Sequence, residues 1–417
     1  MSLTRRTLLA VMGAATAAAA SGKAPPKAKG PGELTPLTAD ARPISREERA
    51  ARIAKVQGLM QQEKIAALLV ESGSTLEYFT GVRWHQSERV TGAVIPAHGE
   101  LVIVTPFFEA PSIQEMLQVN ADVRPWKEDE NPFALFASAL REHGAAAAPV
   151  AIDPMTRYYI LNRIALTAPR TITMVPGSKL VDECRMIKSP AELALLQAAN
   201  NVTLAALRYV HGHVQAGMHS TDLARMMNEA TTALGGSPGF SLTLLNEASA
   251  FPHGSQKPQQ VREGSVILLD CGCSVHGYES DISRTWVFGT PSARQREVWN
   301  LVKRGQELAL ETAKLGVPVG SIDSAVRTLY EQHGWSKDYG LPGLSHRTGH
   351  GIGMDGHESP YLVRSDTTAL AANMCFSDEP GIYIPGEFGI RLEDCWYMTE
   401  KGPKLFTPLA RSLEQPI

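Results

Sequence analysis

Two segments well separated along the chain each bring a pair of carboxylates into what reads as a single β-ribbon. In the first, Leu268-Leu269-Asp270-Cys271-Gly272 runs on through Gly277-Tyr278-Glu279-Ser280-Asp281, with alternating flanks and turn residues between them. A turn centred between Val275 and His276 sets Asp270 directly across from Asp281 on one face. In the second, Asp378-Glu379-Pro380-Gly381 leads through Pro385-Gly386-Glu387 to Arg391-Leu392-Glu393-Asp394, and a turn centred on Gly386 sets Glu379 across from Glu393. Like charges placed opposite each other destabilise a sheet. Either the acids face solvent, or arginines such as Arg284 and Arg391 satisfy one pair, or the ribbons converge on cations. The same defect occurring in both ribbons favours cations.

Two divalent ions remove the repulsion directly, because four carboxylates supply −4 and the ions +4. Imidazoles stand nearby in the sequence. Ser345-His346-Arg347-Thr348-Gly349-His350-Gly351-Ile352-Gly353 places two histidines four apart around a glycine-rich turn. His253 follows Pro252, and His357 lies in Gly356-His357-Glu358-Ser359-Pro360. His143, His211, His213, His276 and His333 have no such setting and read as surface or structural residues. Oxygen-rich ligation with a single imidazole favours manganese, with cobalt, zinc or iron as alternatives.

Composition closes off other classes. A chain of 417 residues, 43% hydrophobic and 20% charged, can bury a large core over two or three domains. With 40 Lys+Arg against 43 Asp+Glu there is no basic surplus, so no nucleic-acid partner is expected. Five cysteines without a CxxC pair argue against a disulfide framework and a thiolate zinc site, and read as small buried hydrophobes.

The organisation follows from start signals. Thr4-Arg5-Arg6-Thr7-Leu8-Leu9 and the alanine-rich run to Ala20 read as a signal peptide over residues 1–22, resembling the twin-arginine type, with a Sec signal or an uncleaved anchor as the alternatives. The run is too short to persist as a membrane anchor, so an exported, periplasmic or extracellular protein is expected. Residues 23–43, rich in Lys, Pro, Gly and Ala, read as a disordered linker. Ser45 with Glu48 starts a helix through about Gln62. Strand-like runs at 66–71, 91–96, 101–106 and 150–153, and helices at 110–120 and 131–143, give an α/β domain over 44–180. In residues 185–417, Ser189-Pro190-Ala191-Glu192 starts a long helix. A second helix carries Met226 and Met227 as core filler, and strands follow at about 241–246, 265–275 and 278–288. The order then recurs: Thr290-Pro291 opens a helix, another follows Gly316, and strands return at about 374–384 and 389–398. Two helices then strands, twice, is an internal repeat that can pack about a pseudo-twofold with a site between its halves.

The ordered series Pro252-His253, Asp270-x10-Asp281, His350 in His-Gly-Ile-Gly, His357-Glu358-x-Pro360, Glu379-Pro380-Gly381 and Arg391-x-Glu393-Asp394 resembles the pita-bread metallopeptidases, the family of Xaa-Pro aminopeptidase, prolidase and methionine aminopeptidase. The first unit, with Tyr78-Phe79-Thr80-Gly81-Val82, more loosely resembles the creatinase-type N-terminal domain. The resemblance implies an α/β (α+β) chain, a creatinase-like domain followed by a pita-bread catalytic domain with the pseudo-twofold repeat. It implies Asp270 on one metal, His350 and Glu379 on the other, and Asp281 and Glu393 bridging both. Glu379 would shuttle a proton, His253 and His357 would hold the carbonyl oxygen, and His346 and Arg391 would bind substrate. The implied reaction is hydrolysis of an Xaa-Pro bond by a metal-bridging hydroxide. An Xaa-Pro aminopeptidase acting on proline-containing peptides is the leading expectation, with a dipeptide-restricted prolidase as the alternative. A non-catalytic binding module on the same fold is disfavoured by the complete ligand set, and methionine aminopeptidase would not need residues 44–180. A homodimer or higher homo-oligomer is also implied.

Overall fold

The computed structural model describes Gly32, residues 34–167 and residues 172–417. The expected signal peptide lies outside the described residues. Of the expected spacer, residues 34–43 rest against the second half of the chain, where the Leu37 N–H donates to Leu234 O and the Thr38 hydroxyl to Gly235 O.

The first unit begins with helix α1 (Arg46–Gln62), capped by the Ser45 hydroxyl as its sequence predicts. It continues through β1 (Ala67–Glu71), α2 (Ser74–Thr80), β2 (Gly92–Pro96), β3 (Leu101–Pro106), α3 (Ala110–Met116), β4 (Ala121–Trp126), α4 (Pro132–Glu142), β5 (Val150–Ile152), α5 (Tyr158–Thr167), β6 (Met174–Pro176) and α6 (Ser178–Arg185). The six strands form one mixed sheet in the order β4-β3-β2-β1-β5-β6. Strands β1, β2, β3 and β5 are buried along their whole length, which is why they read as unbroken apolar runs. The strands missed from sequence are the two edges. Strand β4 carries Arg124 and Pro125 and is half exposed, and proline is tolerated there because an edge has a side with no ladder to satisfy.

The second unit opens with α7 (Pro190–His213), held by the Ser189–Glu192 capping box, and α8 (Ser220–Ala233), whose Met226 and Met227 are core residues. Strands β7 (Ser237–Leu245), β8 (Ser265–Val275), β9 (Tyr278–Glu279) and β10 (Ile282–Phe288) follow, with β8 central in the order β10-β8-β7. Then come α9 (Ala293–Thr312) and α10 (Gly320–Gln332), and strands β11 (Gly349–Gly351), β12 (Glu358–Leu362), β13 (Cys375–Asp378), β14 (Gly381–Tyr383), β15 (Gly389–Arg391), β16 (Asp394–Thr399) and β17 (Gly402–Leu405). The cap of α9 is Ser292, boxed with Gln295, two residues beyond the expected Thr290. The repeat of two helices then strands is therefore real. This is the pita-bread architecture preceded by a creatinase-type domain.

The halves are stitched where the two ribbons meet. The Glu393 N–H donates to Ser283 O on β10, and the Thr285 hydroxyl to Arg391 O. Arg284, wholly buried, spans the seam with hydrogen bonds to Glu393 O and the Asp394 carboxylate at 2.7 and 2.6 Å. The N-terminal unit docks through a second buried network, in which Arg52 of α1 donates to Tyr278 OH at 3.0 Å and Tyr278 donates to Glu192 of α7 at 2.9 Å. All five cysteines are free and buried. Among the described residues, no helix is long and apolar enough to cross a membrane.

Candidate active site and metal centre

The first ribbon turns at His276-Gly277, one residue later than expected, with both residues at positive φ (48° and 84°). Asp270 consequently pairs with Ser283 rather than with Asp281. The partner has moved by two residues, and because strand side chains alternate with period two, Asp270 and Asp281 keep the same face. The second ribbon has the expected register: Asp378 pairs with Asp394 and Gly381 with Arg391, which leaves Glu379 and Glu393 facing each other between them.

Asp270, Asp281, His350, Glu379 and Glu393 line one cavity of about 390 Å³ with His253, His346, Arg347, His357 and Arg391. Every site residue expected from sequence is in this hollow. Donor atoms of Asp270, Asp281 and Glu393 lie within 4.8 Å of one another, as do those of His350, Glu379 and Glu393, and those of Asp281, His350 and His357. Asp281, His350 and Glu393 each belong to two of these trios. A larger hollow of about 720 Å³ between α1 and the Gly99–Leu101 and Gln118–Asn120 segments brings together no such set.

The electrostatics show what the residues lack. Asp270 Oδ1, Asp281 Oδ1 and Glu393 Oε1 are buried with no hydrogen-bond partner. An orphaned buried carboxylate oxygen is costly. Burial, followed by the charges of Glu393, Asp270 and Glu379, pushes the Asp281 carboxyl well above its usual range. Burial and then Glu379 and Asp270 do the same to Glu393. Glu379 is pushed up to about 8, by burial first, with Asp270 adding and Arg391 opposing. His350 is held well below the usual histidine range by burial and by His357, so its ring is neutral. Its Nδ1–H donates to Gly351 O at 3.1 Å, which leaves the bare Nε2 facing Glu379 Oε1 at 3.4 Å and Asp281 Oδ2 at 3.7 Å. A lone pair turned on carboxylate oxygens, beside three orphaned oxygens, is a set of donors that fits cations.

The surrounding side chains are fixed by their own partners. His346 is pushed down to about 3, by burial first and then Arg391. Its Nδ1–H donates to Arg347 O, so its Nε2 accepts from Tyr383 OH at 2.7 Å. Arg391, expected to bind substrate, spends its donors on Asp270 (2.6 Å), Tyr383 OH (2.8 Å) and Ser283 Oγ (2.9 Å). His357 stacks on His350 with centroids 3.8 Å apart. His253 is exposed on the rim beside Phe240, Leu242 and Pro252, which form the apolar wall.

Sequence reading missed two features. Arg347 lines the cavity with its guanidinium 4.4 Å over the Tyr361 ring. Asp323 of α10, fully buried, accepts from Thr348 N (3.1 Å) and Oγ1 (2.8 Å), Arg327 Nε (2.9 Å) and Tyr339 OH (2.6 Å), and so anchors the strand that carries His350. Neither carried a sequence signal beyond a charge on a helix or beside a glycine-rich turn.

A creatinase-type domain ahead of a pita-bread domain whose two ribbons gather these acids and one imidazole is the build of a metal-dependent peptidase. The chain belongs to metallopeptidase family M24: residues 194–400 match that family and residues 52–187 match the creatinase/prolidase N-terminal domain. It is 30% identical over 364 residues to the probable dipeptidase PepE of Mycobacterium tuberculosis, covering 85% of this chain and 93% of that one. It is 29% identical over 367 residues to the Xaa-Pro dipeptidase of Lactobacillus helveticus, covering 86% and 97%. Among solved structures, dipeptidase PepE from Mycobacterium ulcerans superposes with a TM-score of 0.80 at 29% identity over 88% of this chain and 97% of that one.

Proposed function

We propose that this protein is a dinuclear metal-dependent Xaa-Pro dipeptidase. The observation that carries the metal centre is the trio of buried, unpartnered oxygens on Asp270, Asp281 and Glu393 beside the bare Nε2 of His350. Asp270 would hold one ion, His350 and Glu379 the other, with Asp281 and Glu393 shared. The oxygen-rich donor set favours manganese. When bound, the ions would supply polarisation of the scissile carbonyl and activation of a water.

The chain's own residues supply the rest. Glu379, whose carboxylate lines the cavity 3.4 Å from His350 Nε2, is suited to take a proton from the attacking water and return it to the leaving proline nitrogen. His253 and His357 line the same cavity and are available to donate to the carbonyl oxygen as it gains charge. The bond before proline is a tertiary amide without an N–H, so a shaped apolar wall such as that of Phe240, Leu242 and Pro252 must recognise the substrate instead.

The relatives' names favour the dipeptidase over the aminopeptidase reading. Arg347 supports it from within the site, because its guanidinium, stacked on Tyr361, is placed to take the free carboxylate of a dipeptide. Hydrolysis of Gly-Pro and Gly-Pro-Gly-Gly with and without added manganese tests both points. Cleavage of the dipeptide alone is expected. Cleavage of the tetrapeptide makes the protein an aminopeptidase, and no cleavage by metal-loaded protein makes it a binding module. Export by a twin-arginine signal and a homo-oligomeric state belong to the same proposal, tested by cell fractionation and by sedimentation.

A further inference from the structure

His357 sits on a short loop between Gly353 and β12, and the end of that loop is held from outside its own domain. Arg185, the last residue of α6, is buried and reaches both units. Its Nη2 donates to Glu358 Oε2 at 2.7 Å and to Asp355 Oδ2 at 2.8 Å, one residue after His357 and two before it. Its Nη1 donates to Ser74 Oγ at 3.0 Å and Thr75 Oγ1 at 3.3 Å on α2 of the N-terminal unit. Ser74 itself donates to Asp355 at 2.8 Å. Lys188, which is also buried, holds the second oxygen of Glu358. The guanidinium is planar and its fork is rigid, so the four contacts cannot move independently. At the other end of the loop, Gly353 O accepts from Glu279 N on the first ribbon at 2.8 Å.

We propose that Arg185 is a positioning residue through which the N-terminal domain sets where the His357 ring stands in the active-site cavity, acting through Glu358 and Asp355. The inference rests on the peptidase reading only for the role of His357; the mechanical link from α2 to the loop stands on the contacts. It gives the first domain a part in the chemistry although that domain contributes none of the five metal-ligating side chains.

The test is a double-mutant cycle on the full chain at matched manganese content. Arg185→Met is expected to lower kcat on Gly-Pro by about tenfold to a hundredfold, the scale of misplacing a group by an ångström, with KM changed by less than about threefold. Arg185→Lys should recover part of the loss. In a His357→Ala background, Arg185→Met should lower kcat no further, although it still lowers the melting temperature. An equal kcat loss in both backgrounds overturns the proposal, because the arginine then acts through general stability. If Arg185→Met does not fold, Glu358→Gln, which keeps the side-chain shape, enters the same cycle with the same expectations. The ring resonances of isotope-labelled His357 give a readout independent of turnover. They should shift in Arg185→Lys while those of His333 do not; unmoved His357 resonances overturn the proposal. Should the wild-type protein cleave no Xaa-Pro peptide, the assigned function fails and the resonances still decide the coupling.

Discussion

Arg391 and Asp270 are joined by a 2.6 Å contact at the floor of the cavity, with side chains 3% and 15% exposed. This is the one arginine ion pair among the four clustered carboxylates of the described site, and it neutralises one of them. The remaining charge has a thermodynamic signature. Glu379 rises from 4.5 to about 8 on folding, and Asp281 and Glu393 rise well above their usual values. The metal-free folded protein therefore holds protons that the unfolded chain has released, so this cluster costs no stability below the unfolded values near pH 4 and costs progressively more as pH rises towards about 8. Divalent ions displace those protons and remove the cost. The melting temperature of chelator-treated protein is expected to fall between pH 5 and 8.5 relative to manganese-loaded protein. Scanning calorimetry checks this, and a gap that narrows with rising pH contradicts it.

The same repulsion makes Asp281→Asn a variant with opposite effects in two states. It removes an acid whose ionisation the folded cluster opposes, so near neutral pH the metal-free variant should melt above metal-free wild type. It also removes an oxygen that belongs to two of the donor trios, so bound metal should fall below two ions per chain by elemental analysis. Activity should drop on the order of a thousandfold or more, the scale of losing a group that acts at the reacting atoms. Metal-free protein that is less stable than wild type would show that Asp281 has a structural partner not accounted for by the cluster.

Arg347→Gln separates carboxylate recognition from chemistry. A charge-assisted hydrogen bond contributes about 1.5–3 kcal/mol, which corresponds to a rise of roughly tenfold to a hundredfold in KM for Gly-Pro. The change in kcat should be smaller, and Gly-Pro amide, which has no carboxylate, should be cleaved equally well by variant and wild type. Steady-state kinetics on both substrates is the check, and parallel losses on the two remove Arg347 from the specificity argument.

How far the sequence carried depended on whether a residue's job was local. The Ser189–Glu192 cap and the buried runs of β1 and β3 are local and were legible. The pairing of the first ribbon was legible in parity but not in register, whereas that of the second was legible in both. His276-Gly277 is the turn because both residues accept positive φ, and placing the turn one residue early still put Asp270 and Asp281 on one face. Both therefore line the cavity, together with the other seven expected site residues. Arg391 shows the limit: its motif was visible, but its engagement with Asp270 and Tyr383 depends on how two halves of the chain pack. The ties of Arg185 to Asp355 and Glu358, and of Asp323 to Thr348, were illegible for the same reason, since those partners lie far away in sequence.

Asp323 provides the sharpest case of such a distant tie. Its two oxygens accept from Thr348 N and Oγ1 on one side and from Arg327, Tyr339 and the Arg364 N–H on the other, with no exposure to water. Arg327 in turn donates to Leu344 O at 2.8 Å and to His346 O, so the pair clamps both ends of the segment leading to His350. Thr348 O then accepts from Glu379 N at 2.8 Å, which ties the second ribbon to the same anchor. Asp323→Asn keeps the shape but turns an amide N–H towards donors and leaves Arg327 buried without its counter-charge. The expected loss is about 3–5 kcal/mol in urea unfolding, the cost of breaking a buried ion pair from one side. Manganese affinity should also weaken, because His350 and Glu379 lose their common support, whereas Thr348→Val should cost less in both measurements. Unfolding curves and metal titrations of the two variants check the order, and an Asn variant with wild-type stability rules Asp323 out as the anchor.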